Sequence, residues 1–248
     1  MLLLLLNEKR SQPETTALVN LIHPFLAMYN RSWIRLDSYR NLGLLMTFSA
    51  SFPKKIYRAF QAYRNSDLGD FALLKADAVG AKANPAILDK MEKVKGYYPS
   101  IDLSELIQLP SGTFGHEYAS YMQRNQLQPI NVSPKLAEIA QNNVFALRYA
   151  VTHDMFHVLL GFDTSYAGEI GVLAFAAEQK YSKSQIVALW LARLLYPLLA
   201  PRQLGEIQAN IRRGKLLGRQ ANFLLNYRFE DCWNKSLASL RKELGLDC

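Results

Sequence analysis

Residues 133–161 read SPKLAEIAQNNVFALRYAVTHDMFHVLLG, and this stretch decides the fold class. Apolar side chains recur along it at intervals of three, four and seven residues, which is the spacing of one helical face. Ser133 and Pro134 supply a helix start, and Gly161 supplies a stop. The spacing therefore predicts a long helical stretch that ends at Gly161.

Helical signals also dominate on both sides of this stretch. The alternating strand patterns and short Asn-Gly or Asp-Gly turns of β-sheet proteins are missing from the sequence. We predict an all-α fold, with a helical N-terminal extension over residues 1–52 and a single helical domain over 53–248. The further helical segments expected from start and stop signals are one from Ser11, a leucine-rich one over 33–48, and others at 53–63, 84–96, 102 onwards, 114–125, 164–179, 182–197 and 222–243.

Composition limits the class of protein before any motif is considered. The chain has 248 residues, of which 50% are hydrophobic and 20% charged, so it can bury an ordinary core and is not a disordered chain. The 29 Lys and Arg residues exceed the 21 Asp and Glu residues, which gives a net charge of +8. This excess indicates an anionic partner, either nucleic acid or an acidic membrane surface.

The cysteines and the apolar runs restrict the compartment. Cys232 and Cys248 are too few for a disulfide scaffold, and their spacing matches no metal site. The apolar start at residues 1–6 fits neither a signal peptide nor a transit peptide. The longest apolar run, residues 186–200, is shorter than the about 20 residues of a spanning helix. These features predict a protein of a reducing compartment such as the cytoplasm, either soluble or peripherally associated with a membrane.

Two of the four histidines stand in one short segment, His153-Asp154-Met155-Phe156-His157. Residues four apart lie one helical turn apart on the same face, so both imidazoles can share one ion. Glu169 follows twelve residues after His157, and in an antiparallel helical hairpin it would face that position. Two histidines with one or two carboxylates predict a divalent metal site at the central helix-turn-helix. The alternative is a pair of packed histidines without a ligand.

At these residues the sequence resembles a known family. His153-Asp154-x-x-His157, followed by eleven residues and Glu169, is similar to the signature of the fourth coenzyme Q (ubiquinone) biosynthesis protein family. The resemblance covers roughly residues 53–247, with Phe156 at a position where tryptophan is usual. Further similar segments, in the family's order, are LPSGTFGHEYASYM at 109–122, Arg148-Tyr149, Tyr227-Arg228-Phe229-Glu230-x-x-Trp233 and LRKELGL at 240–246.

The resemblance implies an all-helical, metal-binding protein of quinone biosynthesis. Family members bind a prenyl-lipid intermediate, work at a membrane surface and organise other enzymes of the pathway. They are also linked to oxidative removal of the ring C1 carboxyl group from a prenylated hydroxybenzoate, so the chain is expected to be a scaffold, a decarboxylating enzyme or both. Carried onto this sequence, the metal ligands are His153, Asp154, His157 and Glu169. Zinc is the expected ion, held as a Lewis acid and template.

Two further residues are candidates for substrate binding. Arg148, five residues before His153, is expected to pair with a substrate carboxylate, or with Asp154 or Glu169. Trp190 lies in the apolar segment 184–200, which is interpreted as a core helix, as the wall of a tunnel for a prenyl tail, or as a membrane-facing surface. The apolar helices also make a homodimer an expected state.

Other interpretations remain open at this stage. The cluster of cations at 212–219 is interpreted as a solvated face or as a contact for anionic headgroups. Nucleic acid is not expected as a partner, because no recognition helix or RNA-binding motif is found. A zinc hydrolase is the alternative function, since Asp154 between two histidines resembles the acid of a metalloprotease helix, although it is one methylene shorter.

Overall fold

The computed structural model describes residues 52–65 and 67–247. The chain divides into two units between Phe52 and Pro53, and the second unit holds almost all of the described residues. The expected helix from Ser11, the leucine-rich segment at 33–48 and the N-terminal extension fall outside the described residues, so those expectations stay predictions.

The described residues form helices and short 3₁₀ turns with no β-strand, which confirms the predicted all-α class. The 3₁₀ turns are Pro85–Ile87, Glu92–Val94, Pro134–Leu136, Pro201–Gln203 and Phe229–Cys232. The helices are α1 (Phe52–Arg64), α2 (Leu68–Ala78), α3 (Leu88–Met91), α4 (Leu103–Leu106), α5 (Phe114–Arg124), α6 (Ala137–Asn142), α7 (Val144–Leu160), α8 (Tyr166–Glu178), α9 (Lys183–Leu199), α10 (Leu204–Gln220) and α11 (Leu237–Glu243).

The long helical stretch predicted from Ser133 is divided at Asn143 into α6 and α7. Asn143 leaves helical geometry, with φ −129° and ψ 69°. Its side-chain oxygen accepts a hydrogen bond from the backbone N–H of Ala146 and so caps α7. Its side-chain amide donates to the Ala81 carbonyl at 2.7 Å. These bonds compensate for the interrupted helix and hold the start of α7 against a neighbouring segment.

The turn between α7 and α8 is fixed by local chemistry that the sequence indicates. Gly161 ends α7 in the left-handed conformation at φ 67°, which costs glycine little. The Ser165 hydroxyl accepts from the backbone N–H of Gly168 and caps α8. Glu169 therefore lies in the first turn of α8, opposite the last turns of α7.

Two arginines bind the carbonyl groups at the end of α7. Arg213 donates to the Leu160 carbonyl at 2.8 Å, and Arg241 donates to the Val158 and Leu159 carbonyls at 2.8 Å each. Cations at a helix C-terminus satisfy its free carbonyls and oppose its dipole. Arg213 thus stabilises the α7–α8 corner, which corrects the interpretation of the whole 212–219 cluster as a solvated face.

Helices α8 and α10 approach each other closely at glycines. A β-carbon on Gly214 would lie 2.2 Å from the Gly171 carbonyl oxygen, and one on Gly171 would lie 2.7 Å from the ring of Phe162. The small residues of α8 are therefore explained by close helix packing. This packing holds the N-terminal half of α8, which carries Glu169, against the rest of the domain.

Replacing Gly214 with alanine should lower the free energy of unfolding by about 1–3 kcal/mol, because the added methyl group meets backbone atoms. Urea unfolding followed by circular dichroism measures this change. Gly205 in the same helix is the matched control, since a β-carbon added there would have no other atom within 4 Å. Gly205→Ala should leave stability unchanged or raise it by up to about 1 kcal/mol; equal destabilisation by both substitutions would contradict the close-packing account.

Helix α9 differs from its predicted form in its end and in its burial. Pro197 lies inside the helix, which continues to Leu199 because the N–H of Ala200 still bonds to the Tyr196 carbonyl. The interpretation as a core helix is wrong for one side, since Trp190 is 62% exposed and Leu198 is 78% exposed. No single helix of the described chain is long and apolar enough to cross a membrane, although α9 together with residues 201–220 meets that test as a pair bent by 114°.

The C-terminal region is less helical than predicted. Only the 3₁₀ turn at Phe229–Cys232 and helix α11 lie within the expected helix at 222–243, and α10 precedes that region. Leu224 and Leu225 are fully buried, and the backbone N–H of Asn222 bonds to the Leu244 carbonyl. This segment has a helical sequence pattern, but its burial against the rest of the domain favours a non-helical backbone. The same path of the chain brings Glu230 to the side of α7.

Candidate metal centre

The two histidines of α7 and the glutamate of α8 meet at the hairpin. The imidazole rings of His153 and His157 lie 4.9 Å apart between centroids. Glu169 Oε2 lies 3.5 Å from His153 Nε2, and Glu169 Oε1 lies 3.4 Å from His157 Nε2. One ligand atom from each of the three residues falls within 4.8 Å of the others. The predicted facing of His157 and Glu169 across the turn is therefore observed.

Hydrogen bonding fixes the tautomer of His157. Its Nδ1 lies 3.2 Å from the Phe162 carbonyl oxygen, and a carbonyl only accepts, so Nδ1 carries a proton. In the neutral ring Nε2 then has a lone pair, directed at a carboxylate oxygen. Nε2 is buried and makes no hydrogen bond. Two electron-rich atoms at this distance need a cation between them, which is either a proton on Nε2 or a metal ion.

The electrostatics of the metal-free cluster follow from this arrangement. Burial alone would raise the pKa of Glu169, but His157 and His153 together outweigh it and lower this pKa to about 2. Burial alone would lower the pKa of His157, but the negative charges of Glu169 and Asp154 outweigh it and raise this pKa above its ordinary value. Glu169 is therefore ionised at neutral pH, and it attracts positive charge to the site.

The two histidine–glutamate distances are of the size found around a tetrahedral ion. Bonds of about 2.0–2.1 Å in a tetrahedral zinc site hold two ligand atoms about 3.4 Å apart. The two His–Glu distances, 3.4 and 3.5 Å, are close to that separation, and each involves a different oxygen of the Glu169 carboxylate. The side chains of His153 and Glu169 are 13% and 14% exposed, so the cluster reaches solvent on one side. Three protein ligands and an accessible fourth position are typical of a site that binds a further ligand.

Asp154 lies beside this cluster but outside the group whose atoms converge. Its Oδ1 is 3.6 Å from Nδ1 of His153, and its side chain is 20% exposed. In this position it faces the ring nitrogen of His153 that is directed away from Glu169. Its predicted role as a fourth ligand stays a prediction that requires a change of side-chain rotamer.

Aromatic side chains enclose the two histidines. The ring of Tyr121 stacks on His157 at 5.9 Å, and the ring of Tyr149 meets His153 edge-on at 5.7 Å. Burial raises the pKa of both tyrosines far above the ordinary value, so both hydroxyls stay protonated at neutral pH. The site therefore offers a hydroxyl-bearing, largely apolar wall beside the candidate metal.

Lys75 of α2 belongs to the surroundings of the site and is missed by sequence reasoning. Burial lowers its pKa to about 8, and the negative charge of Glu169 acts against that shift. Its Nζ lies 5.6 Å from the centroid of the Phe71 ring. In the sequence, Lys75 is a single lysine within a largely apolar segment. Nothing in that segment connects it with residues 153–169.

Arg148 is engaged elsewhere in the fold. Its guanidinium is fully buried and donates to both carboxylate oxygens of Glu230, at 2.6 and 2.8 Å, and to the Tyr227 carbonyl at 2.7 Å. The predicted pairing with Asp154 or Glu169 is replaced by this bidentate pair. A substrate carboxylate would have to displace Glu230, so binding of substrate by Arg148 remains an untested prediction.

The remaining sequence candidates occupy other places. Trp190 lies on the exposed side of α9, while Tyr196 on the buried side packs edge-on against Tyr166 of α8 at 5.0 Å. His116 Nδ1 lies 2.9 Å from the Leu109 carbonyl oxygen and 3.1 Å from that of Ile107. His116 therefore fastens the loop before α5, as an ordinary loop-to-helix residue does.

Acidity should have opposite effects on the metal-free and the zinc-loaded protein. In the metal-free protein the pKa of His157 is raised, so its protonated form stabilises the fold at pH values below its ordinary pKa of 6.5. This stabilisation is lost as the pH rises through the pKa of the folded state. The ionised form of Glu169 stabilises the fold at pH values above its ordinary pKa of 4.5, and this stabilisation is lost as the pH falls towards 2. The pair therefore stabilises most between these two ordinary values. Zinc needs the deprotonated ring, so the rise in Tm on adding zinc should grow as the pH increases from about 5 to 8.

The change in Tm on adding zinc, measured across pH, checks this prediction. His116→Gln is the matched control, because it removes a histidine that lies outside the cluster, and it should keep the pH-dependent zinc effect. His157→Gln should lose it. A zinc effect that is independent of pH, or one that His157→Gln retains in full, would contradict the assignment.

The same chain matches a described protein family over most of its length. The model of the coenzyme Q (ubiquinone) biosynthesis protein Coq4 family matches residues 74–248. The chain belongs to this family. The Coq4 match covers both helices of the histidine-glutamate hairpin, and it confirms the family suggested by the resemblance.

Individual relatives agree with this family. The Xenopus tropicalis protein named ubiquinone biosynthesis protein COQ4 homolog, mitochondrial, is 29% identical over 199 residues, which are 71% of this chain and 66% of that protein. The human protein of the same name is 31% identical over 59% of this chain and 55% of its own length. The chain thus spans between about half and two thirds of the length of these vertebrate relatives.

The fold of this Coq4-family chain also has a solved counterpart. A crystal structure of a protein from Nostoc punctiforme matches it with a TM-score of 0.55 and 23% sequence identity. The match covers 79% of this chain and 98% of that one. It establishes a shared helical fold.

Proposed function

We propose that this Coq4-family protein binds a divalent metal ion and a prenyl-lipid intermediate of ubiquinone-type biosynthesis at a membrane surface. There it acts as a scaffold for other enzymes of the pathway, takes part in the oxidative decarboxylation of the prenylated ring at C1, or does both. The observation that carries the proposal is the convergence of His153, His157 and Glu169, with the buried Nε2 of His157 left without a hydrogen bond.

The metal part of the proposal rests on the donor set. Imidazole nitrogens with one carboxylate suit zinc, and His157 is already oriented by its bond to the Phe162 carbonyl, as metal-binding histidines usually are. We propose His153, His157 and Glu169 as direct ligands and Asp154 as a fourth. When bound, the ion supplies a Lewis acid that polarises an oxygen of the ring's carboxyl or hydroxyl group.

The protein's own residues would position the ring. Glu169 and the histidines hold the ion at the α7–α8 corner, while Tyr121 and Tyr149 provide an aromatic wall that excludes water from the histidines. In the decarboxylation these residues hold the carboxylated ring in place. None of them is assigned to electron transfer.

Zinc analysis and native mass spectrometry of the purified protein test binding. We expect about one zinc ion per chain and a co-purified lipid whose mass includes an isoprenoid tail. Expression in a strain that lacks its own Coq4-family gene, with the quinone and its carboxylated precursor both measured, tests the pathway role. Wild type should restore the quinone and consume the precursor, and failure of both would contradict the proposal.

A zinc hydrolase is not favoured. The described residues hold only an isolated bridge between Thr113 and Ser236, so they provide no strand along which a peptide substrate would be aligned. Peptidase turnover by the zinc-loaded protein would reverse this preference.

A further inference from the structure

One side of helix α9 is apolar and open to solvent along its whole length. We call this side the outer face of α9, and its members are between 37% and 78% exposed. They recur at the spacing of a helical face, so they form one strip on a helix about 25 Å long. The members of the outer face are Ile186, Val187, Trp190, Leu191, Leu194, Leu195, Leu198 and Leu199.

The opposite side of α9 already supplies the contacts that hold the helix in the domain. Gln185, Leu189, Ala192 and Tyr196 are buried there. Single exposed leucines are ordinary on protein surfaces, but a continuous strip of large apolar side chains marks a surface that binds something. The outer face is therefore surplus to the packing of the described domain and available to a partner.

The charges around the outer face select the partner. Residues 179–205 include no Asp or Glu, and their cations are Lys180, Lys183, Arg193 and Arg202. All four cations are exposed, and none forms an ion pair with an acid of the described chain. An apolar helix face in a segment that carries cations and no acid has the composition of helices that lie in the headgroup region of an anionic bilayer.

A second copy of the chain is a poorer occupant of the same surface. In a two-fold contact each outer face would meet its own equivalent, so the cations bordering one helix would approach those bordering the other. No acid within residues 179–205 is present to pair with them. An anionic membrane supplies that negative charge, and Trp190 near the middle of the face suits the boundary between headgroups and lipid tails.

We infer that the outer face of α9 lies in the surface of an anionic phospholipid bilayer, with the surrounding cations on the headgroups. This extends the membrane location within the proposed function to one surface of the protein. Tyr196 on the buried side of α9 contacts Tyr166, which lies three residues before Glu169. The buried side of α9 thus packs against α8, the helix that carries Glu169.

Vesicle sedimentation with the full-length protein tests the inference. The probes are vesicles of phosphatidylcholine alone and vesicles with about 30% phosphatidylglycerol. Wild type should bind the anionic vesicles, with weaker binding at high salt, and Trp190 fluorescence should shift to shorter wavelength on binding. The double variant Trp190→Glu with Leu194→Glu should lose at least about a hundredfold in partition coefficient, since two large apolar side chains no longer enter lipid.

The matched control is Val79→Glu with Leu88→Glu. These two residues are 56% and 52% exposed, lie outside the outer face and receive the same change in charge. The control should keep vesicle binding within about threefold. It lowers the net charge by the same amount as the α9 variant, but it removes no apolar side chain from the outer face. Equal loss in both variants would overturn the inference.

Two further results would overturn the inference. One is a wild-type protein that does not bind anionic vesicles. The other is a wild-type protein that is a dimer in analytical ultracentrifugation and does not bind vesicles, while the α9 variant is a monomer. That result would assign the outer face to a second copy of the chain. Zinc content separates this inference from the metal proposal, because the α9 variant should keep the zinc of the wild type.

Discussion

Replacing His157 with glutamine should remove the bound metal and quinone production together. His157 contributes the most enclosed of the three converging nitrogen and oxygen atoms, with its side chain only 1% exposed. Removing a residue that merely supports a metal ligand typically costs 10–100-fold in affinity, so losing a direct ligand should cost more than about a hundredfold. Glu169→Gln should act in the same direction, because the amide carries no charge to balance the ion.

Metal content by elemental analysis and quinone content of the complemented strain measure the two effects. His116→Gln, outside the cluster, is the matched histidine control and should keep both metal and quinone. A thermal melt of each variant checks that the fold is retained, which glutamine favours over alanine because it fills more of the buried volume. Full quinone production by a folded, metal-free His157→Gln protein would contradict the metal's proposed role.

Replacing Arg148 with methionine should lower the free energy of unfolding by about 3–5 kcal/mol, because it leaves the Glu230 carboxylate buried without its partner. The pair is almost wholly enclosed, with the side chains 0% and 4% exposed. Urea unfolding monitored by circular dichroism measures the change. The double variant Arg148→Met with Glu230→Leu should recover much of the loss, since two apolar side chains replace the pair.

The same two variants separate a structural role for Arg148 from the binding of a substrate carboxylate. If Arg148 serves only the fold, the double variant should regain quinone production along with stability. Recovery of stability without recovery of quinone would indicate that the guanidinium also contacts substrate, and that Glu230 is displaced when substrate binds.

The histidine–glutamate cluster was predictable because its geometry is local. Four-residue spacing fixes the relation of His153 to His157, and the turn chemistry of Gly161 and Ser165 fixes the relation of α7 to α8. The three residues therefore meet as the sequence indicates. Asp154 is harder to place, because its position at the edge of the helical face leaves the choice to its side-chain rotamer.

The contacts that escaped prediction are long-range. Arg148 is 82 residues from Glu230, and the sequence offers no periodicity that connects them. Lys75 reaches the surroundings of Glu169 only through the packing of α2. The break at Asn143 depends on the Ala81 carbonyl, 62 residues away. For α9 the apolar composition was evident, but burial depends on which neighbours cover each side, so one side was expected in the core and is exposed.

Anomalous diffraction at the zinc absorption edge, from crystals of the zinc-loaded protein, tests the central claim most directly. The account predicts one peak at the α7–α8 corner, about 2.0–2.2 Å from Nε2 of His153, Nε2 of His157 and a carboxylate oxygen of Glu169. The same peak should be missing from His157→Gln crystals. A zinc-loaded crystal in which the ion lies elsewhere, with these three side chains bonded only to one another, would contradict the account.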